Sequence, residues 1–137
     1  MEQYLNKQYR LKTLKNYDKY LKFLGINYLT RKIISSVSPV ASLTKDDSDS
    51  YTLAFNTAVR NMVISFKPGE EFEESRPDGS KLKSRVVFDE NKLIHTQNDP
   101  TGKKMKHEME FTDDKLTIIT TAEGWVDKCE RIYERLH

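Results

Sequence analysis

The fold turns on the stretch Tyr51-Thr52-Leu53-Ala54-Phe55-Asn56-Thr57-Ala58-Val59-Arg60, followed by Asn61-Met62-Val63-Ile64-Ser65-Phe66. Tyr51, Leu53, Phe55, Thr57 and Val59 alternate with Thr52, Ala54, Asn56, Ala58 and Arg60; Met62, Ile64 and Phe66 then alternate with Val63 and Ser65. Successive side chains of a strand point to opposite faces, so this period of two reads as two strands with little between them. Turn chemistry recurs downstream at close spacing, in Lys67-Pro68-Gly69, Pro77-Asp78-Gly79, Asp89-Glu90-Asn91, Asp99-Pro100-Thr101-Gly102, Asp113-Asp114 and Glu123-Gly124. Strand candidates lie between these turns, around Phe72 and over residues 81–88, 92–97, 104–111, 115–121 and 126–134. Short strands joined by tight turns indicate an all-β, mainly antiparallel, up-and-down sheet, most economically closed into a barrel so that no edge is left exposed.

Upstream of residue 40 the period is 3.6. Asn16 is placed to cap a short helix in which Tyr17, Tyr20, Leu21 and Leu24 form one apolar stripe, and Gly25 follows at the position of a left-handed stop. Asn27 is placed to cap a second helix, with Leu29, Ile33, Ile34 and Val37 on one side and Pro39 beyond its end. The two make a helix-turn-helix hairpin over about residues 16–38. Arg31 and Lys32 on its second helix have the right sign for DNA, but the strand-like remainder is net acidic, which is wrong for a compact duplex-binding domain, so no nucleic-acid partner is expected.

A chain of 137 residues makes a single domain spanning residues 1–137, and 36% hydrophobic with 10% aromatic residues is enough for a thin core and too much for a disordered chain. Cys129 is the only cysteine, which excludes an internal disulfide framework and a Cys-rich metal knuckle and suits a reducing compartment. The opening Met1-Glu2-Gln3-Tyr4-Leu5-Asn6-Lys7 has no signal-like apolar run, and no stretch reaches the length of a helical membrane span, so a cytoplasmic protein is expected. The net charge of +2 is unevenly spread. Residues 1–45 hold nine Lys/Arg against Glu2 and Asp18, a balance of +7, which leaves 46–137 at +14 − 19 = −5.

The most informative strand is the last, Trp125 to Glu134. Lys128, Glu130, Ile132 and Glu134 form a mostly charged face that wants water, so Cys129, Arg131 and Tyr133 point inward, a guanidinium beside a phenol. Two readings follow: a structural salt bridge or rim-reaching arginine, or a cavity in which Arg131 and Tyr133 take a ligand anion. Leu93, His95 and Gln97 share one face, as do Met105, His107, Met109 and Phe111, a mixture that suits a wet cavity or a solvated surface.

No catalytic or metal-binding motif is complete. His107-Glu108-Met109-Glu110-Phe111 begins like a zinc-protease helix but has Phe111 where the second His is required. Asp46-Asp47-Ser48-Asp49-Ser50 lacks the glycine and distal Glu of a calcium loop. Glu70-Glu71 and Glu73-Glu74 flank Phe72 as an exposed acidic edge that serves solubility, and Cys129 reads as a small packing residue. No nucleophile elbow or Gly-rich phosphate loop is present, so neither catalysis, a metal nor a cofactor is expected.

The chain resembles the intracellular lipid-binding proteins, meaning the fatty-acid-binding and cellular retinoid-binding proteins. The resemblance is carried by Lys7, Tyr9 and Leu11, then Asn16-Tyr17-Asp18, Tyr20-Leu21 and Leu24, followed in family order by Leu24-Gly25-Ile26, Thr30-Arg31-Lys32, Pro39, Arg60-Asn61, Ile64-Ser65-Phe66-Lys67, Gly69-Glu70-Glu71-Phe72, Asp78-Gly79-Ser80-Lys81, Lys83-Ser84 and the Arg-x-Tyr of Arg131-Ile132-Tyr133. It implies a lipocalin-like, ten-stranded β-clam with the helical hairpin as a lid over an internal cavity. By similarity Arg131 and Tyr133 hold the ligand carboxylate, while Tyr17, Leu21, Ile26, Ile34, Val59, Pro77 and Asp78 line the portal or tail channel. One position departs: Met109 stands where many members carry a second interior Arg or Gln, leaving His107 on the same face as a substitute donor.

The function so implied is that of a monomeric, non-enzymatic carrier of long-chain fatty acids in the cytoplasm, with the nucleus as a further compartment. A retinoid or another bulky hydrophobic ligand is the alternative within the fold. An alternative of another class is an interaction module, in which a partner reads the basic hairpin through Lys22, Arg31 and Lys32. The charge split adds anionic membranes as transient partners, contacted by Lys19, Lys22, Arg31 and Lys32.

Overall fold

The computed structural model describes residues 1–76 and 79–137. Ten antiparallel strands run in chain order: β1 (Gln8–Lys15), β2 (Val40–Lys45), β3 (Tyr51–Asn56), β4 (Asn61–Phe66), β5 (Phe72–Ser75), β6 (Lys81–Asp89), β7 (Lys92–Asn98), β8 (Lys104–Phe111), β9 (Lys115–Ala122) and β10 (Cys129–Leu136). Helices α1 (Tyr17–Phe23) and α2 (Tyr28–Ser35) are inserted between β1 and β2. Neighbours in sequence are neighbours in the sheet, and β1 returns to pair with β10, giving the order β4-β3-β2-β1-β10-β9-β8-β7-β6-β5.

The sheet does not close as the sequence implied. β4 and β5 are its two ends and share no ladder. Side chains bridge them instead: Phe66 stacks on Phe72 with ring centroids 6.3 Å apart, and a cleft of about 330 Å³ between Arg60 on one side and Glu74 on the other separates the backbones. The strand expected to run on to Arg60 stops at Asn56, because the Thr57 hydroxyl accepts from the backbone N–H groups of Val59 and Arg60 and holds a tight turn. The last strand begins at Cys129 rather than near Trp125; the indole packs beneath the lid, 5.6 Å from the Tyr20 ring and 6.0 Å from Phe23.

Two apolar cores result. The larger includes Met109 and Tyr133 and contains Phe111, which lies between Tyr4 and Tyr9 with both ring centroids at 5.8 Å. The smaller sits under α1, whose Tyr20 and Leu21 are buried against Leu82, Met105 and Cys129, as its stripe requires. Asn16 does not cap α1 through its side chain. It adopts a left-handed conformation at φ 63° and donates from Nδ2 to the Lys128 carbonyl at 3.1 Å, tying the start of the lid to the loop before β10. Asn27 does cap α2, accepting from the Thr30 backbone N–H at 2.9 Å. At Gly25 φ is +86°, and a side chain there would be strained by the backbone although space is open. α2 lies flatter than its pattern implied: Leu29 (70% exposed) and Ile33 (53%) face solvent, and only Ile34 of the three stripe-forming residues within the helix packs inward, with Val37 half-buried past its end.

Candidate ligand-binding site

β10 supplies the cationic end of the interior. Cys129 and Tyr133 are buried and Arg131 between them is half-buried, so the face carrying the guanidinium is the inner one. Its carbon lies 5.1 Å from the centroid of the Tyr17 ring, and its Nε is buried without a hydrogen-bond partner. Among the described residues none forms a salt bridge with it. Burial works against the charge, but the neighbouring Tyr17, Tyr133 and Cys129 outweigh it and raise the pKa, so Arg131 remains a cation. Burial likewise raises the Tyr133 phenol, against the opposing field of Arg131, which keeps its hydroxyl protonated at neutral pH. Of the sequence readings, the internal salt bridge has no partner among the described residues.

Met109 is buried on the inner face of β8, between Leu93 and Ile118 and in the register row that ends at Arg131. A thioether thus occupies the position at which the resemblance would put a second Arg or Gln. Under the lid, Leu21 is buried, and Tyr17, Ile26 and Ile34 pack against it. Val59 is 72% exposed in the turn after β3. Pro77 and Asp78, assigned by resemblance to the portal, lie outside the described residues.

His107 is inside as expected, but it is not a free donor. Gln97 Nε2 donates to Glu74 Oε2 at 3.0 Å, so Gln97 Oε1 must accept, and His107 Nε2–H donates to it at 2.7 Å. His107 Nδ1 then accepts from the Thr120 hydroxyl at 2.8 Å. Both ring nitrogens are satisfied by the neutral ring. Burial, reinforced by His95 and Arg131, holds its pKa well below 6.5, so His107 contributes no charge to the head group near neutrality.

Glu74 is the functional-looking residue that sequence reasoning missed. It is not part of an exposed acidic edge: its side chain is 14% exposed, and its Oε1 accepts from the Ser84 hydroxyl at 2.8 Å and from His95 Nε2 at 3.0 Å. Burial raises its pKa, but the His95, Gln97 and Ser84 hydrogen bonds and the field of His95 overcome that, and the net direction is down. The available signal was the period of two, which puts Glu74 on the same face of β5 as Phe72.

The basic residues of the lid divide. Lys19, Lys22 and Lys32 are exposed. Arg31, expected among the outward contacts, folds back instead: its side chain is 12% exposed, with Nε 3.0 Å from Asp18 Oδ1 and Nη1 donating to the Ile26 carbonyl at 2.7 Å. It clamps α2 to α1 because the hairpin turn leaves that carbonyl and the carboxylate converging on one guanidinium fork.

Comparison with known proteins matches this architecture throughout. The profile of the Lipocalin / cytosolic fatty-acid binding protein family covers residues 8–135. A fatty acid-binding protein of Tyrophagus putrescentiae is 39% identical over 121 residues, 88% of this chain and 90% of its own. Human cellular retinoic acid-binding protein 2 is 38% identical over 125 residues, 88% of this chain and 89% of its own. The structure of a Schistosoma mansoni fatty acid binding protein in complex with arachidonic acid superposes with a TM-score of 0.89 at 31% identity, covering 100% of this chain and 98% of that one. The family profile spans the ten-stranded sheet and its two-helix lid from β1 to β10, and the chain belongs to the lipocalin and cytosolic fatty-acid-binding protein family.

Proposed function

We propose that the protein is a non-enzymatic carrier that takes a long-chain fatty acid into the barrel, with Arg131 and Tyr133 at the carboxylate and the acyl chain along Met109 and the underside of the lid. The observation that supports it is the charged guanidinium of Arg131 on the inner face of β10, whose Nε is buried without a hydrogen-bond partner and which forms no salt bridge among the described residues. A buried cation without a counter-charge is costly, and a ligand carboxylate removes that cost through a charge-assisted hydrogen bond. Burial of the tail contributes roughly 0.8 kcal/mol per methylene as an upper figure, so the tail sets affinity and the head sets orientation. The relatives named for fatty acids and for retinoic acid agree on a carboxylate-bearing apolar ligand. Calorimetric titration of the delipidated protein with oleate and with retinoic acid tests this: oleate is expected to bind more tightly, and a tighter retinoic acid would make the retinoid reading the correct one.

The carrier is a cytoplasmic monomer, with the nucleus as a further compartment, and it exchanges ligand by touching anionic membranes. Lys32 Nζ lies 5.6 Å from the centroid of the exposed Tyr28 ring, and Lys19, Lys22, Leu29 and Ile33 are also exposed on the lid helices, which gives the lid basic and apolar surface. Transfer to vesicles is expected to speed up with acceptor concentration and anionic lipid content and to slow with salt. The double change Lys22→Glu and Lys32→Glu should slow it severalfold. Arg31→Ala should loosen the hairpin without that selective loss. Transfer rates indifferent to acceptor concentration would reduce the lid to a gate.

A further inference from the structure

The interior holds a second polar centre that recognition of a carboxylate leaves unused. Glu74, Ser84, His95, Gln97, His107 and Thr120 form one hydrogen-bonded chain from β5 across to β9. His107 is fully engaged, but the chain has capacity left at its Glu74 end. An ionised carboxylate offers about four lone-pair sites, and Glu74 uses three of them, one each for Ser84, His95 and Gln97. His95 donates from Nε2 to Glu74, and its Nδ1 has no protein partner among the described residues. Both groups belong to the barrel interior, where His95 is buried with its ring stacked on Phe72 at 6.3 Å and tilted against His107 at 5.3 Å.

Position separates the Glu74–His95 end of this chain from the carboxylate site, whereas His107 at its middle lies within the field of Arg131. Arg131, Ile118, Met109 and Leu93 lie in one register row across β10, β9, β8 and β7, and His95 is two residues further along β7. Three strand spacings correspond to roughly 14 Å along the sheet. A straight saturated chain anchored at Arg131 presents only methylenes to the Glu74 end, and methylenes satisfy neither a carboxylate lone pair nor an imidazole nitrogen. A hydroxyl satisfies both, since it donates to Glu74 Oε2 or to a neutral His95 Nδ1 and accepts from a protonated one. A ketone or ester oxygen only accepts and cannot serve the carboxylate.

We propose that the Glu74–His95 end of this chain is a hydroxyl subsite, so that the ligand class favoured by the carrier is a long-chain fatty acid hydroxylated at mid-chain or beyond. This rests on the carrier reading above and deepens it. The subsite works by discrimination, because a site with unfilled polar groups rejects the analogue that cannot fill them.

The test is a calorimetric series on the full-length, delipidated protein with stearate, 2-hydroxystearate and 12-hydroxystearate. The 12-hydroxy acid is expected to bind about tenfold more tightly than the 2-hydroxy acid and at least as tightly as stearate. That preference should disappear in His95→Phe, which keeps the stacking on Phe72, and in Glu74→Gln. If either variant fails to fold, the ring-nitrogen NMR signals of the unsubstituted protein decide: 12-hydroxystearate should shift a His95 nitrogen, and stearate should not. Stearate that binds well while the 12-hydroxy acid binds tenfold more weakly, or a His95 signal that responds equally to both, overturns the subsite and leaves the carrier standing. Failure of all three acids to bind overturns the carrier reading itself, and the subsite with it.

Discussion

Replacing Arg131 by Met is expected to weaken oleate binding by roughly 10- to 100-fold while leaving oleyl alcohol within about threefold, because a charge-assisted hydrogen bond contributes about 1.5–3 kcal/mol and the alcohol never made it. The apolar wall is unchanged by this exchange of one long unbranched side chain for another. Stability should move the other way. In the ligand-free protein the guanidinium is partly buried, its Nε has no partner and it forms no ion pair among the described residues, so an apolar side chain of similar length removes a desolvation cost, and the unfolding midpoint in urea should rise. A residue that destabilises the empty protein and strengthens the filled one is poised for its ligand. Equal losses for acid and alcohol would remove Arg131 from the head-group site, and a lowered midpoint would make it structural.

The second large effect is expected in the larger core. Phe111→Ala should cost about 3–5 kcal/mol, since it deletes a fully buried ring and the neighbours that would have to collapse into the space are held elsewhere. Tyr4 is fixed by the turn of Glu2–Tyr4 and by the Gln3 amide donating to its hydroxyl at 3.0 Å, and Tyr9 is anchored in β1 with its hydroxyl donating to the Thr112 carbonyl. For a chain of this length the loss corresponds to a fall in melting temperature of about 10 °C or more. Ligand affinity should change little by comparison, because Phe111 lies two residues beyond Met109 on β8 and packs against Tyr4 and Tyr9. A loss below about 1 kcal/mol would mean that the N-terminal turn closes over the gap.

Where the sequence was legible, a local rule and the tertiary environment agreed. Alternation over residues 104–111 and 129–133 put Met109, His107, Arg131 and Tyr133 inside, and the structure keeps all four there, because a strand with one charged and one mixed face has a single favourable orientation. α1 and the Asn27 cap were equally readable. The losses came from long-range partners. Asn16 had the right residue type for a cap and was diverted by the Lys128 carbonyl, distant in sequence. Arg31 read as a surface charge and was drawn inward by a carbonyl exposed at the hairpin turn. Glu74 was hidden by composition: three other glutamates within five residues made it look solvated, and only the donors of β6 and β7 reveal why a carboxylate is tolerated inside. His107 had the right location and the wrong chemistry, since its neighbours consume both nitrogens.

The unpaired seam between β4 and β5 makes the barrel an open hoop rather than a ring. A ring of hydrogen-bonded strands has a circumference fixed by its strand count, and widening it means breaking backbone bonds all along one ladder. Here the circumference is set at one point by stacked phenyl rings and a cleft, contacts that slide by tenths of an ångström at little cost compared with a ladder bond. The girth can follow its contents. One scaffold can therefore grip a thin, bent acyl chain and a thicker ring-bearing lipid without re-registering a strand, and mutations that alter the bulk of Phe66 or Phe72 act as a caliper setting on the width of ligand accepted.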